Sequence, residues 1–179
     1  TSPCTVLIVE DDRNFRLRFQ GVLGTNPRWH VVAAVDTLAA GLQALRQLRP
    51  QLMMVDLGLP DGDGAELIRT AALEQPDVLS MVVTVFGDEE HVVRAIEAGA
   101  TGYLLKDAGD DDVHGALHDL LQGGSPISPM VARLVLARMR APAAPAASAA
   151  AETDAATEVG LSEREVEILT LVAKGFSFP

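Results

Sequence analysis

The sequence predicts an α/β protein: a five-stranded, doubly wound parallel sheet with helices on both faces, then a linker and the first helix of an incomplete all-α domain. Three observations carry this prediction. Five short apolar runs recur through the first 122 residues, each continuous, as strands buried on both faces must be. Segments with helical apolar spacing alternate with them, for example Leu38, Leu42, Leu45 and Leu48. Polar residues then stand where apolar runs end, and right-handed crossovers bring such ends to one edge of a sheet.

The first predicted strand, Thr5 to Val9, ends on Glu10-Asp11-Asp12, and a helix follows over Asn14 to Leu23. Asp12 suits either a third acid at that edge or the cap of this helix. A strand over Val31 to Val35 leads to a helix over Thr37 to Leu48. The third strand, Leu52 to Val55, delivers Asp56 ahead of Gly58-Leu59-Pro60-Asp61-Gly62-Asp63-Gly64, a stretch too rich in Gly and Pro to continue a strand. Asp61 and Asp63 are assigned to that turn. Helix Gly64 to Glu74, strand Leu79 to Val83 with Thr84 at its end, and helix Asp88 to Ala98 come next. The fifth strand, Gly102 to Leu105, ends on Lys106, and the helix Asp110 to Gln122 opens with three aspartates, a suitable charge for a helix N-terminus.

Residues 1 to 125 hold 9 Lys/Arg against 19 Asp/Glu, a net of −10 within the −11 of all 179 residues. That excess repels nucleic acid from the front domain, so any DNA contact has to come from the other end. Cys4 is the sole cysteine, which excludes an internal disulfide and a thiolate metal cluster. His114 and His118 stand four apart but lack a metal-ligand arrangement with a cysteine or acid. No basic segment with an apolar core opens the sequence, and a cytoplasmic location is expected.

Beyond the fifth helix, residues 126–140 read as a connecting helix, Pro129 to Arg140, with Val131, Leu134, Val135 and Met139 on its apolar side. Residues 141–158 are rich in Ala and Pro and read as a linker. In residues 159–179, Ser162 and Glu165 form a capping box, and Lys174-Gly175 stops the helix they open.

Clustered carboxylates repel one another unless a cation compensates, and a hard divalent ion bound by oxygen is the usual one. Asp11 and Asp56 are candidate magnesium ligands, with Glu10 acting directly or through water; Lys106 offers a charge and Thr84 a hydroxyl to a phosphate. The acidic pair after Leu7-Ile8-Val9, Asp56 in Val55-Asp56-Leu57-Gly58-Leu59-Pro60-Asp61-Gly62, Thr84 after Val82-Val83, and Gly102-Tyr103-Leu104-Leu105-Lys106 together resemble the receiver domains of two-component response regulators, which have a flavodoxin-like fold. The resemblance covers about residues 4 to 122.

It implies that Asp56 takes a phosphoryl group from a phosphohistidine of a sensor histidine kinase. It further implies that Asp11, Asp56 and the main-chain oxygen of Gly58 hold magnesium, that Lys106 binds a phosphate oxygen, and that Thr84 and Tyr103 move on phosphorylation. The closing segment, Leu161 to Leu169 with Ala173-Lys174-Gly175, resembles the opening of a LuxR-type helix-turn-helix domain, which suggests the NarL/FixJ group of transcriptional regulators. Such domains read DNA with a later helix, so the intact parent is expected to bind DNA and residues 1–179 alone are not.

The expected protein is thus a phosphoacceptor switch and not an enzyme. A phosphorylation-dependent homodimer through the face around Val92, Ile96 and the last receiver helix is a further expectation. Two alternatives are a receiver that acts only by capturing a protein partner and a magnesium phosphatase with an Asp nucleophile. The second is disfavoured because Gly58 stands where such enzymes carry a general acid.

Overall fold

The computed structural model describes residues 2–85, 89–127 and 129–140. Five parallel strands form its sheet in the order β2-β1-β3-β6-β7, where β1 is Cys4–Val9, β2 Trp29–Val35, β3 Leu52–Val55, β6 Leu79–Thr84 and β7 Gly102–Leu105. The chain first moves from β1 to β2, then returns past β1 to place β3 on its other side, so the winding reverses between β1 and β3. The carboxyl ends of those two strands border the crevice in which doubly wound folds bind ligands.

Strand side chains alternate between two apolar layers with the period of two that a pleated backbone imposes. Leu7, Val9, Met53, Val55, Val82 and Tyr103 enter one layer, beneath α2 (Leu38–Leu48), α3 (Gly64–Glu74) and α4 (Glu89–Glu97). Val6, Ile8, Leu52, Met54, Met81, Val83 and Leu104 enter the other, beneath α1 (Arg13–Gly24) and α5 (Asp110–Leu121). Burial on both faces is why these strands read as unbroken apolar runs.

Carboxylates start the helices. The Asp12 side chain accepts from the amides of Asn14 and Phe15 at the head of α1, which decides its role in favour of the cap. Asp63 caps α3 through the Ala65 amide. Asp61 stands in a turn as assigned, and its two oxygens also accept from the amides of Leu38 and Ala39 at 2.6 and 2.9 Å, across the chain at the head of α2. These bonds hold the Asp61 carboxyl below the usual carboxylate range. The stretch after Asp56 is also more ordered than its Gly and Pro content suggests, with β4 (Gly58–Leu59) and β5 (Gly62–Asp63) paired antiparallel.

The connecting helix forms as predicted, as α6 (Pro129–Arg140). Its Val131 is 3% exposed and joins the layer that contains Val92, Ala95 and Tyr103. Val92 is buried and Ile96 half-buried against the same layer, so packing within one chain accounts for much of their apolar spacing. The linker and the beginning of the all-α domain, residues 141–179, lie outside the described residues.

Gly64 is where the phosphoacceptor-like loop and α3 press closest. Its amide donates to the Leu57 carbonyl at 3.0 Å, and a Cβ at this position would overlap the Asp56 carbonyl oxygen and stand 3.0 Å from Leu57 Cα. Gly64→Ala is therefore expected to cost about 1–3 kcal/mol, the usual range for overpacking. A urea titration should give a lower midpoint at unchanged slope; a wild-type midpoint would show that the loop yields freely.

Candidate functional site

Register alone brings the acids together. Val9 lies beside Val55 across the β1–β3 pair, and the Asp56 amide donates to the Val9 carbonyl at 2.8 Å, so Glu10 and Asp56 emerge side by side from neighbouring strands. On the other flank Thr84 pairs with Leu105, and the Lys106 amide donates to the Thr84 carbonyl at 2.8 Å. Lys106 is then launched from the edge strand and reaches back across the end of the sheet. Its Nζ donates to Glu10 Oε1 at 2.8 Å and to Asp56 Oδ2 at 2.9 Å.

All three of these groups are buried: Glu10 is 2% exposed, Lys106 7% and Asp56 8%. Asp11 is exposed beside them, and single oxygens of Glu10, Asp11 and Asp56 lie within 4.8 Å of one another. Two carboxylates thus share one lysine, and a third lies beside them. Glu10 Oε2 is buried with no hydrogen-bond partner, the one such side-chain atom among the described residues. An unmet oxygen next to surplus carboxylates, all hard donors, fits a hard divalent cation such as magnesium. Gly58, two residues after Asp56, is exposed at the same loop, where its amide makes a long 3.4 Å contact with Asp56 Oδ1.

The electrostatics derive from burial. Glu10 is pushed up to about 7, chiefly because burial disfavours its charge; the Asp56 carboxylate adds to this, and the Lys106 bond only partly offsets it. Burial alone would lower Lys106, but its bonds to Glu10 and Asp56 and their charges prevail and raise it.

Several supports were not legible as site residues. Phe15, on the first turn of α1, puts its ring 5.0 Å from Lys106 Nζ, an attractive placement for a cation over a π face. The Arg16 guanidinium donates to the main-chain oxygens of Glu10 and Asp11 and braces the acidic turn. The Arg18 guanidinium donates to the carbonyls of Lys106 and Ala108 and pairs with Asp110 at 2.9 Å, so it fixes the turn after Lys106. The only sequence signal was three basic or aromatic residues, at 15, 16 and 18, within about one turn of a helix that comes after an acidic strand end.

Thr84 and Tyr103 are placed differently from the acids. Thr84, 8% exposed, donates its hydroxyl to the Val85 carbonyl at 3.1 Å and not to Asp56. Tyr103 points into the layer under α4, where its hydroxyl donates to the Val92 carbonyl at 2.9 Å. Burial and the nearby Asp63 charge both raise its phenol. His114 accepts from the Trp29 indole at 3.0 Å and His118 contacts the Arg28 guanidinium at 2.6 Å, which engages both rings against other side chains.

With the site built from the ends of four strands in a β2-β1-β3-β6-β7 sheet, comparison with known proteins gives its class. The model of the response regulator receiver domain matches residues 6–118. The chain therefore belongs to the response regulator receiver family, and its relatives place it with regulators of the NarL/FixJ type. The DNA-binding transcriptional activator DevR/DosR of Mycobacterium tuberculosis is 29% identical over 172 residues, covering 96% of this chain and 75% of that protein. The response regulator protein VraR of Staphylococcus aureus is 29% identical over 172 residues, covering 96% of this chain and 77% of that protein. Among solved structures, a LuxR-family two-component response regulator from Aurantimonas sp. SI85-9A1 superposes with a TM-score of 0.70 at 23% identity over 77% of this chain and 99% of that one. The receiver domain of NarL from Mycobacterium tuberculosis gives 0.65 at 24% identity, over 69% of this chain and 99% of that one. At such identities these structures share the fold. No helix among the described residues is long and apolar enough to cross a membrane.

The raised Glu10 has a consequence for stability. Between its ordinary value of 4.5 and about 7, the folded protein retains a proton that the unfolded chain has released. Glu10 thus favours folding most below pH 4.5, and its contribution is lost as the pH rises through about 7. For metal-free protein, denaturation midpoints should show this decline over that window and Glu10→Gln should flatten it. Equal slopes for the two proteins would contradict the assignment.

Proposed function

We propose that the chain is a phosphorylation-controlled switch. Asp56 accepts a phosphoryl group from a phosphohistidine of a sensor histidine kinase and thereby controls a DNA-binding transcriptional output. The observation that carries this reading is the Lys106 ammonium held against Asp56 Oδ2 and Glu10 Oε1 at a strand-end crevice, with Asp11 beside them.

In the reaction an Asp56 carboxylate oxygen forms a bond to phosphorus as the phosphorus–nitrogen bond of the donor breaks. The electron pair stays on the imidazole nitrogen, which takes a proton from solvent. Asp11, Asp56 and the main-chain oxygen of Gly58 would hold magnesium, with Glu10 direct or through water, and the ion supplies charge neutralisation at the transferring phosphoryl. Lys106 exchanges its bond to Asp56 for one to a phosphate oxygen and keeps Glu10. The new group adds about −1.5 to −2 charge and three strong acceptors. Thr84, bound only to a neighbouring carbonyl, then has a stronger acceptor within the same crevice.

Gly58 stands where an Asp-nucleophile phosphatase carries its general acid, which supports uptake on Asp56 with at most slow self-dephosphorylation. The division we propose is a receiver over residues 1–125, a connecting helix over 126–140, a linker over 141–158 and the start of a LuxR-type domain over 159–179. The DNA-binding role of DevR/DosR supports a transcriptional output for the intact protein.

Incubation with a small acyl phosphate and magnesium should add the mass of one phosphoryl group, located on Asp56 by peptide mapping. Asp56→Asn and chelation of the metal should each abolish the addition. Lys106→Ala should slow it on the order of 100-fold, the scale for losing one preorganised charge stabiliser. Label on another side chain, or none on the wild type, would refute the reading.

A further inference from the structure

Gly58 has little to hold it in its own right. Beyond its chain neighbours, nothing lies within 4 Å of where a Cβ on it would stand, and its amide makes a long 3.4 Å contact with Asp56 Oδ1. Its position is set by the β4–β5 hairpin, in which Gly58 stands opposite Asp63 and Leu59 opposite Gly62. Leu59 is buried in the layer beneath α2 and α3, and Asp63 caps α3 and pairs with Arg94 of α4 at 2.9 Å. The turn between the two limbs is fastened elsewhere. Asp61 accepts there from the amides of Leu38 and Ala39, and the Leu38 side chain lies so close that a Cβ on Gly62 would overlap its Cδ2. With the Thr37 hydroxyl on the Ala40 amide, the amides of Leu38, Ala39 and Ala40 at the head of α2 all have acceptors, two of them supplied by the hairpin.

We propose that Asp61 is a positioning residue of the metal site: by pinning the hairpin turn to the head of α2 it fixes the main-chain oxygen of Gly58, and so sets the affinity of the crevice for magnesium. The inference rests on the phosphoacceptor reading above, in which that oxygen is a ligand. Magnesium requires near-ideal octahedral oxygen geometry. An oxygen on a loose loop must therefore be ordered when the ion binds, whereas one already in place need not be. Glu10, Asp11 and Asp56 come directly off β1 and β3, in the middle of the sheet, but Gly58 lies on the hairpin that Asp61 ties down. The role belongs to the bonds of Asp61 and not to its charge, because both of its oxygens are engaged at α2. Linkage makes the dependence reciprocal: an ion at Gly58 steadies the hairpin and with it the first turn of α2.

Magnesium titrations of the full 179-residue chain, followed by backbone amide NMR, test this, with urea midpoints and acyl phosphate labelling recorded for each protein. In the wild type, saturating magnesium should slow exchange of the Leu38 and Ala39 amides several-fold. Asp61→Ala should abolish that slowing and raise the dissociation constant for magnesium roughly tenfold, the low end of the loss when the hydrogen bonds that orient metal ligands are removed. Asp61→Asn removes the same charge but keeps one acceptor, so its constant should fall between the two. Equal losses in the two variants would assign the effect to charge and overturn the proposal. So would a wild-type affinity in Asp61→Ala, even with a lowered urea midpoint, since a merely structural cap would change only the midpoint. If Asp61→Ala does not fold, the wild-type exchange decides: unchanged Leu38 and Ala39 amides at saturating magnesium refute the positioning role. A wild type that takes up label on Asp56 while the Asp61 tests fail leaves the phosphoacceptor reading intact. One that takes up neither magnesium nor label fails both.

Discussion

The pairing of one lysine with two carboxylates is the constraint around which the end of this sheet is organised. Lys106 lies 2.8 and 2.9 Å from Glu10 and Asp56, and all three are buried. Desolvation of such groups commonly outweighs their mutual attraction, so a buried ion pair is weak ground for stability. Here the balance is worse than even, because two acids share one base and Glu10 retains an unmet oxygen. A sequence selected only to fold would fill this space with apolar side chains. The cluster instead holds Lys106 against both Glu10 and Asp56 and leaves Glu10 Oε2 unmet at the strand-end crevice.

The surrounding structure holds that cluster in place without neutralising it. Arg16 donates to the main-chain carbonyls of Glu10 and Asp11, and Arg18 to those of Lys106 and Ala108 as well as to the Asp110 carboxylate. They stiffen the two turns that bear the functional groups and leave the carboxylates of Glu10 and Asp56 to Lys106. Asp12, Asp61 and Asp63, acids in the same region, are each committed to a helix amide. Asp12, Asp61 and Asp63 thus serve architecture, whereas Glu10, Asp11 and Asp56 cluster at the crevice.

That division marks the limit of what was legible in the chain. Buried strands announce themselves as apolar runs, so the sheet, its order of elements and the strand-end positions of Glu10, Asp11, Asp56, Thr84 and Lys106 were all readable. The cap of Asp61 on α2 was not, since it joins residues 23 apart and depends on how the β4–β5 hairpin folds back. Nor was the placing of Phe15 beneath Lys106, which needs the packing of α1 against α5 and β7. Val92 and Ile96 show a second limit. Helical apolar spacing proves that a face is covered but not by what, and these two residues join the apolar layer of their own chain.

The edge of the sheet has a cover of its own. β7 is the outermost strand beyond β6, and an uncovered edge invites pairing with foreign strands. Receiving Pro126 at the Tyr103 amide blunts that edge, and because Pro126 offers only a carbonyl, the pairing cannot extend into another strand. The same contact puts the start of α6 next to the tyrosine whose hydroxyl reports on α4. Protection of the edge and connection of the receiver to α6 therefore run through one segment of chain. A connection to α6 at the opposite edge, at β2, would have protected a strand without reaching the Tyr103 amide.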